Sequence, residues 1–374
     1  MIAFADPKAV WAPALDVRID GAGLAADVSA AITDVQVTLD ADAIDQASLT
    51  FANPFPDLPF THSAAARLFT EGSGLTVRLG YAGNVQTLFD GEITSIVPSF
   101  PAAGHPTLQV EASTRLHRLT APPRAVTYVN ATDGQVARQI AQRNNLTPGV
   151  KEGPDATRHP VLTQHNQDDL SFLRARARAI RYELTAEGTT LSYAPAADAE
   201  PPRQRLVWGN PQLAITVGAA VPLLRFDPRL NPRRPVTAVI VRGRDPLTSE
   251  VLEGRAGPGD EVGGATLGTT AAEVARRAFG GDREQVITDQ PVLSQQEADT
   301  LARALYRDLS EQLVSATGAT AGDPDLRPGR SVEVAGVGPR FSGTYYVTRA
   351  VHTTGGGGYR TTLSLRRGDV GPLP

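Results

Sequence analysis

The sequence contains no cysteine, a single methionine and two tryptophans among 374 residues. Without cysteine there can be no disulfide and no thiolate metal site. No apolar run approaches the ~18 residues of a membrane-spanning helix. The opening MIAFADPKAVW lacks the basic stretch and apolar core of a secretory signal. An excess of positive charge is missing too: 36 Lys and Arg face 40 Asp and Glu, a net charge of −4. Proteins that bind nucleic acid by neutralising phosphates are usually basic, so tight nucleic-acid binding is not expected. Together these absences place synthesis and folding in the cytoplasm.

Candidate chemistry is also sparse. His62, His105, His117, His159, His165 and His352 form no pair at helical spacing. His159 and His165 share a polar stretch and could share a metal, but two solvated loop histidines are much the better reading. There is no Gly-x-Ser-x-Gly elbow, phosphate loop or dinucleotide fingerprint. Residues 263–268 are glycine-rich but lack the lysine of a phosphate loop. No metal and no cofactor is expected.

What the chain has in abundance is turns and alternation. Gly (35) and Pro (29) are both frequent, which fits many short strands. Residues 74–110 and 329–365 follow one plan. Gly74 or Gly329 opens an alternating strand, a Phe-x-Gly follows (Phe89–Gly91, Phe341–Gly343), and two more strands close the unit. A meander used twice points to an internal duplication. The expected fold is mainly β with α+β insertions: two tube-type β-barrels related by duplication, plus a small α/β domain. The domains are expected at 1–120, 121–200 and 205–374.

In the first domain, 15–19, 33–39 and 47–51 alternate as strands. Three prolines within 53–59 stop regular structure, and 62–69 is expected as a short helix. In the second, Thr132 and Asp168 are placed to cap helices, the stretch between Gly149 and Asp168 reads as a polar loop, and 182–193 as a hairpin around Gly188. In the third, 234–245 is a strand and 254–268 a mobile glycine-rich loop. Thr270-x-x-Glu273 and Ser294-x-x-Glu297 are capping boxes for helices over 270–279 and 294–314. The second of these is expected to pack on the second barrel.

Three side-chain groups remain. Asp168 and Asp169 resemble a catalytic pair, although capping accounts for both. Arg174, Arg178 and Arg181 fall at i, i+4 and i+7, either a solvated face or a surface for an acidic partner. Phe341, Tyr345, Tyr346 and Tyr359 could hold a sugar ring or pack inside a barrel.

The segments 164–184 (QHNQDDLSFLRARARAIRYEL), 236–243 (VTAVIVRG), 341–365 (FSGTYYVTRAVHTTGGGGYRTTLSL) and Asn53-Pro-Phe-Pro resemble the phage late-control protein D family. These are the central baseplate hubs of contractile tails and related injection machines. The resemblance implies a homotrimer whose six barrels match a hexameric inner tube on one side and a trimeric spike on the other. It implies the inner-tube ring, the spike and baseplate wedge components as partners, and a place in a tail or injection particle. Fused relatives continue into a spike; ending at Pro374, this chain is expected to meet a separate spike protein. Two other readings stay open: a cell-wall hydrolase using Asp168 or Glu183, and a carbohydrate-binding β module using the tyrosines.

Overall fold

Alternating apolar residues in the first third of the chain produce seven strands: β1 (Pro13–Ile19), β2 (Ala22–Gly23), β3 (Ile32–Asp40), β4 (Gln46–Ala52), β5 (Gly74–Tyr81), β6 (Asn84–Ser99) and β7 (Thr107–Ser113). The computed structural model describes residues 13–52, 68–81, 84–153, 156–209, 220–245, 248–262 and 268–372. The proline-rich break at 53–59, most of the 62–69 segment and residues 263–267 lie outside them. β1, β5, β6, β7, β4 and β3 pair in that order, all antiparallel. Their inward residues, among them Val35, Val37, Leu49, Phe51, Leu75, Val77 and Val110, form one core with a short helix α1 (Ala26–Ala30) beside it.

The middle region runs β8 (Arg124–Thr132), α2 (Asp133–Arg143), β9 (Thr147–Val150), β10 (Arg158–Gln167), α3 (Asp169–Ala179), β11 (Tyr182–Glu187) and β12 (Thr190–Pro195). Thr132 closes a full capping box with Gln135, and Asp168 accepts from the Ser171 N–H. The hairpin around Gly188 forms as expected. The expected polar loop is instead strand β10, paired with β8. Only one face of that ribbon is covered, hiding Tyr128 and Leu162, so its sequence reads as polar.

The last third contains β13 (Gln204–Val207), β14 (Ala220–Leu230), β15 (Ala238–Arg244), β16 (Val251–Ala256), β17 (Thr269–Thr270), α4 (Ala271–Phe279), β18 (Glu284–Ile287), α5 (Gln295–Ser310), β19 (Val314–Ala321), β20 (Arg330–Ala335), β21 (Gly343–Gly355), β22 (Gly358–Arg367) and β23 (Asp369–Val370). β13, β14, β19, β22, β21 and β20 close into a ring, each paired with the next and β20 with β13. The first barrel is a six-stranded roll whose β1 and β3 do not pair among the described residues.

Three expectations are corrected here. Helix α5 stops at Ser310, and Val314 already begins a strand. It packs on a separate three-stranded sheet, β16-β15-β18, rather than on the second barrel. The start of the expected mobile loop belongs to β16, where a Cβ on Gly254 would lie 2.2 Å from Ala298 carbonyl atoms of α5. That glycine lets helix and sheet touch.

The duplication holds at residue level. β3, β4, β5, β6 and β7 correspond in order and pairing to β14, β19, β20, β21 and β22. Both copies carry a bulge at the same two places: Thr33 and Leu224, then Thr94 and Thr348. Both use a left-handed glycine, Gly72 and Gly329, to donate to Ile93 and Val347 respectively. The equivalent pairs are therefore Gly72 with Gly329 and Ile93 with Val347. The sequence match of Gly74 to Gly329 and of the two Phe-x-Gly motifs is out of register by a few residues.

Candidate assembly surfaces

The two barrels join through one ladder. β3 pairs antiparallel with β21 from Asp34↔Gly355 to Asp40↔Arg349, making thirteen strands one continuous sheet. Side chains reinforce the seam. The Tyr81 hydroxyl donates to the Gly322 carbonyl at 2.9 Å, and its ring lies 5.9 Å from that of Tyr359. Arg327 donates to the Thr87 carbonyl. His352 sits between Tyr359 and the Leu326 carbonyl, and burial lowers its pKa to about 3, so it is neutral. Tyr345, Tyr346 and Tyr359 are all buried. They cannot stack on a soluble sugar, which removes the observation behind the carbohydrate-binding reading.

The duplicated strands carry the same two edges a second time, uncovered among the described residues. Through the register above, β3 residues Val35, Val37 and Leu39 correspond to Phe226, Pro228 and Leu230 of β14. Ala350, His352 and Thr354 of β21 correspond to Ile96 and Pro98 at the end of β6 and to Phe100 just beyond it. Val35, Val37, Ala350 and His352 are each 0% exposed. Their counterparts Phe226, Pro228, Leu230 and Ile96 are only partly buried, and Pro98 is exposed. Phe100 is 59% exposed, Leu224 54% and Val97 44%. Apolar residues this open on two strand edges are unusual for a surface meant to stay wet.

One face of the sheet is polar over both barrels. Asp34, Gln36, Thr38, Gln46, Ser48 and Gln109 line a concavity on the first. Their counterparts on the second include Arg225, Asp227, Arg229, Ser315, Thr317 and Thr362.

Two buried charge clusters fix the middle region against the rest. Arg181 bonds Asp198, Asp308 (2.9 Å) and Glu311 (2.6 Å), tying α3's end to α5 and to the 194–203 segment. Burial disfavours its charge, but Glu311 and Asp198 outweigh this and raise its pKa. Its positive φ of 56° turns it out of the helix. His159 lies 2% exposed between Asp133 (3.1 Å) and Glu297 (2.8 Å), with Arg176 bonded to Asp133. Burial pulls His159 down, yet the two carboxylates win and raise its pKa to about 9, so it is charged. Glu297 thus serves His159 and the Leu293 N–H rather than closing its capping box.

The sequence-selected residues separate accordingly. Arg181 is consumed internally. Arg178 is exposed 3.5 Å from Asp42, and half-buried Arg174 leaves Nη2 unpartnered among the described residues. Asp168 only caps α3. Asp169 is held by Arg143, Gln164 and Asn144. Glu183 lines a polar cavity with Arg366, Asp42 and Asp308. No group of three metal-ligating side chains occurs among the described residues; on β10 His159 is buried while His165 is exposed. The edges left uncovered among the described residues carry no sequence motif; only the duplication could have found them.

A family model described as the Alg8 N-terminal domain matches residues 12–355. No curated protein matches the chain in sequence. Among solved structures, the 43 kDa tail protein of prophage MuSo2 from Shewanella oneidensis superposes with a TM-score of 0.70 at 13% identity, covering 96% of this chain and 99% of that one. A tail protein from Neisseria meningitidis MC58 gives 0.68 at 13%, covering 96% and 97%. An E. coli component of the type VI secretion system, described as similar to bacteriophage T4 tail proteins, gives 0.58 at 11%, covering 96% and 79%. At these identities the likeness establishes a shared fold.

Proposed function

This chain belongs to the Alg8 N-terminal domain family, and we propose that it is the structural hub of a contractile-tail or injection-system baseplate. In this reading three copies form a ring of six barrels. One side of the ring meets a hexameric inner tube and the other a trimeric spike, with wedge components around it. The role is geometric: the chain positions partners through buried interfaces and performs no reaction.

The observation that carries the reading is the used seam and its uncovered duplicate. Within one chain, the β3 edge is closed by β21. The equivalent β14 edge of the second barrel, and the equivalent β6 end of the first, have no cover among the described residues. A second copy supplies both at once. Such a head-to-tail contact repeats until the ring closes, and closure at three chains gives six barrels. The fold shared with phage tail proteins and a secretion-system component supports the same placement.

Native mass measurement of the chain alone, and with candidate tube and spike proteins, tests this. Three-chain rings are expected in at least the second case. A chain that stays monomeric with both partners present, or closes with another copy number, overturns it.

A further inference from the structure

We infer that the seam between chains is chemically unlike the seam within a chain: it lacks main-chain bonds at its centre and is held by apolar side chains of Ile96, Phe100, Phe226 and Leu230. The inference rests on the ring proposed above and adds which residues meet and how.

The pairing follows from the internal seam. The Ala41 N–H donates to the Thr348 carbonyl at 2.9 Å. Antiparallel alternation then makes Leu39/Ala350, Val37/His352 and Val35/Thr354 the pairs that exchange main-chain bonds, while Thr38/Val351 is a non-bonded pair. Carried through the duplication, the bonded positions become Leu230/Ile96, Pro228/Pro98 and Phe226/Phe100. All six residues are apolar. The intervening positions become Arg229/Val97 and Asp227/Ser99, which fall on the face that is polar elsewhere in the sheet. Three of those four residues, Arg229, Asp227 and Ser99, are polar, so this register keeps the apolar faces of the two edges together.

Pro98 and Pro228 meet at the centre. Where Val37 and His352 exchange two bonds inside a chain, two prolines offer no donor at all. Proline on an edge strand is a device against uncontrolled strand addition. The need for it is specific here. A head-to-tail contact that does not close grows into an open filament. With its central bonds removed, a single contact is weak, and three contacts closing together are favoured over a chain of them.

The absence of native cysteine allows a direct test. Val97→Cys with Arg229→Cys places one thiol on each edge at a non-bonded pair, where Cα separation suits a disulfide. Val351→Cys with Thr38→Cys is the control and should link within one chain. Under mild oxidation of the assembled particle, the 97/229 variant should yield a covalent three-chain product. In a second experiment, Pro98→Val with Pro228→Val restores two donors. Self-association of the free chain should then tighten about tenfold or more and should produce open oligomers beyond three chains. If three-chain rings form by native mass without a 97/229 link, the register is wrong and the inference fails while the ring stands. If the link forms but the proline variants associate no more tightly, the unequal seam fails. If neither ring nor link forms while the control links normally, both readings fail.

Discussion

Nδ1 of His159 on β10 lies 2.8 Å from the Glu297 carboxylate on α5, joining elements 138 residues apart in the chain. With Asp133 and Arg176 they form a buried group with two positive and two negative charges. Because the His159 pKa is raised to about 9 from 6.5, its contribution to stability is complete below about pH 6.5 and is lost as pH climbs through about 9. The size is on the order of 2–3 kcal/mol. Thermal unfolding across pH 6–10 should show this decline. In His159→Ala it should vanish, with stability at pH 7 lower by roughly 3–5 kcal/mol because two carboxylates lose a partner. A wild-type curve flat to pH 10 would contradict the assignment.

Arg181→Ala leaves Asp198, Asp308 and Glu311 facing one another without their shared cation. A loss of about 3–5 kcal/mol is expected. Lysine should recover only part of it, since an ammonium cannot fork to three carboxylates. Denaturant unfolding of the two variants reads the difference, and equal stability of wild type and alanine variant would refute it.

Glu183 separates the assembly reading from the hydrolase reading. Burial raises its pKa to about 7, against which Arg366 pulls only partly. A carboxyl raised in the folded state destabilises once ionised, so the cost grows from about pH 4.5 and is complete above pH 7. Glu183→Gln should therefore stabilise by on the order of 1–2 kcal/mol at pH 8, after allowing for solvent screening, and change nothing at pH 4. Neither form should clear a peptidoglycan zymogram. Clearing by wild type that is lost in the variant would revive the hydrolase.

Gly322 is the tightest point of the internal seam. A Cβ there would lie 2.0 Å from the Tyr359 ring, while its N–H donates to Tyr359 and its carbonyl accepts from Tyr81. Gly322→Ala should cost about 1–3 kcal/mol by overpacking. Hydrogen exchange should show loosening concentrated in the β3·β21 ladder. Loosening confined to other strands would argue against this role for the seam.

Much of the architecture is legible in the sequence, because Val35, Val37, Leu39 and Leu75, Val77, Leu79 alternate cleanly and glycines mark the turns. The register of the duplication is not. Bulges at Thr33 and Thr348 have no composition signal, and Phe-x-Gly recurs by coincidence in two places two residues out of step. The β16-β15-β18 sheet is hidden because β15 and β18 pair in parallel across a long crossover. The role of Glu297 is masked by its fit to a capping box, and that of Arg181 by a helical spacing it leaves at its positive φ.

The ladder between β3 and β21 has a mechanical consequence. Force tending to slide one barrel along the other acts parallel to those strands, so its hydrogen bonds are loaded together in shear instead of being peeled one at a time. A pull along that direction on either barrel is thereby passed to its neighbour through the whole ladder.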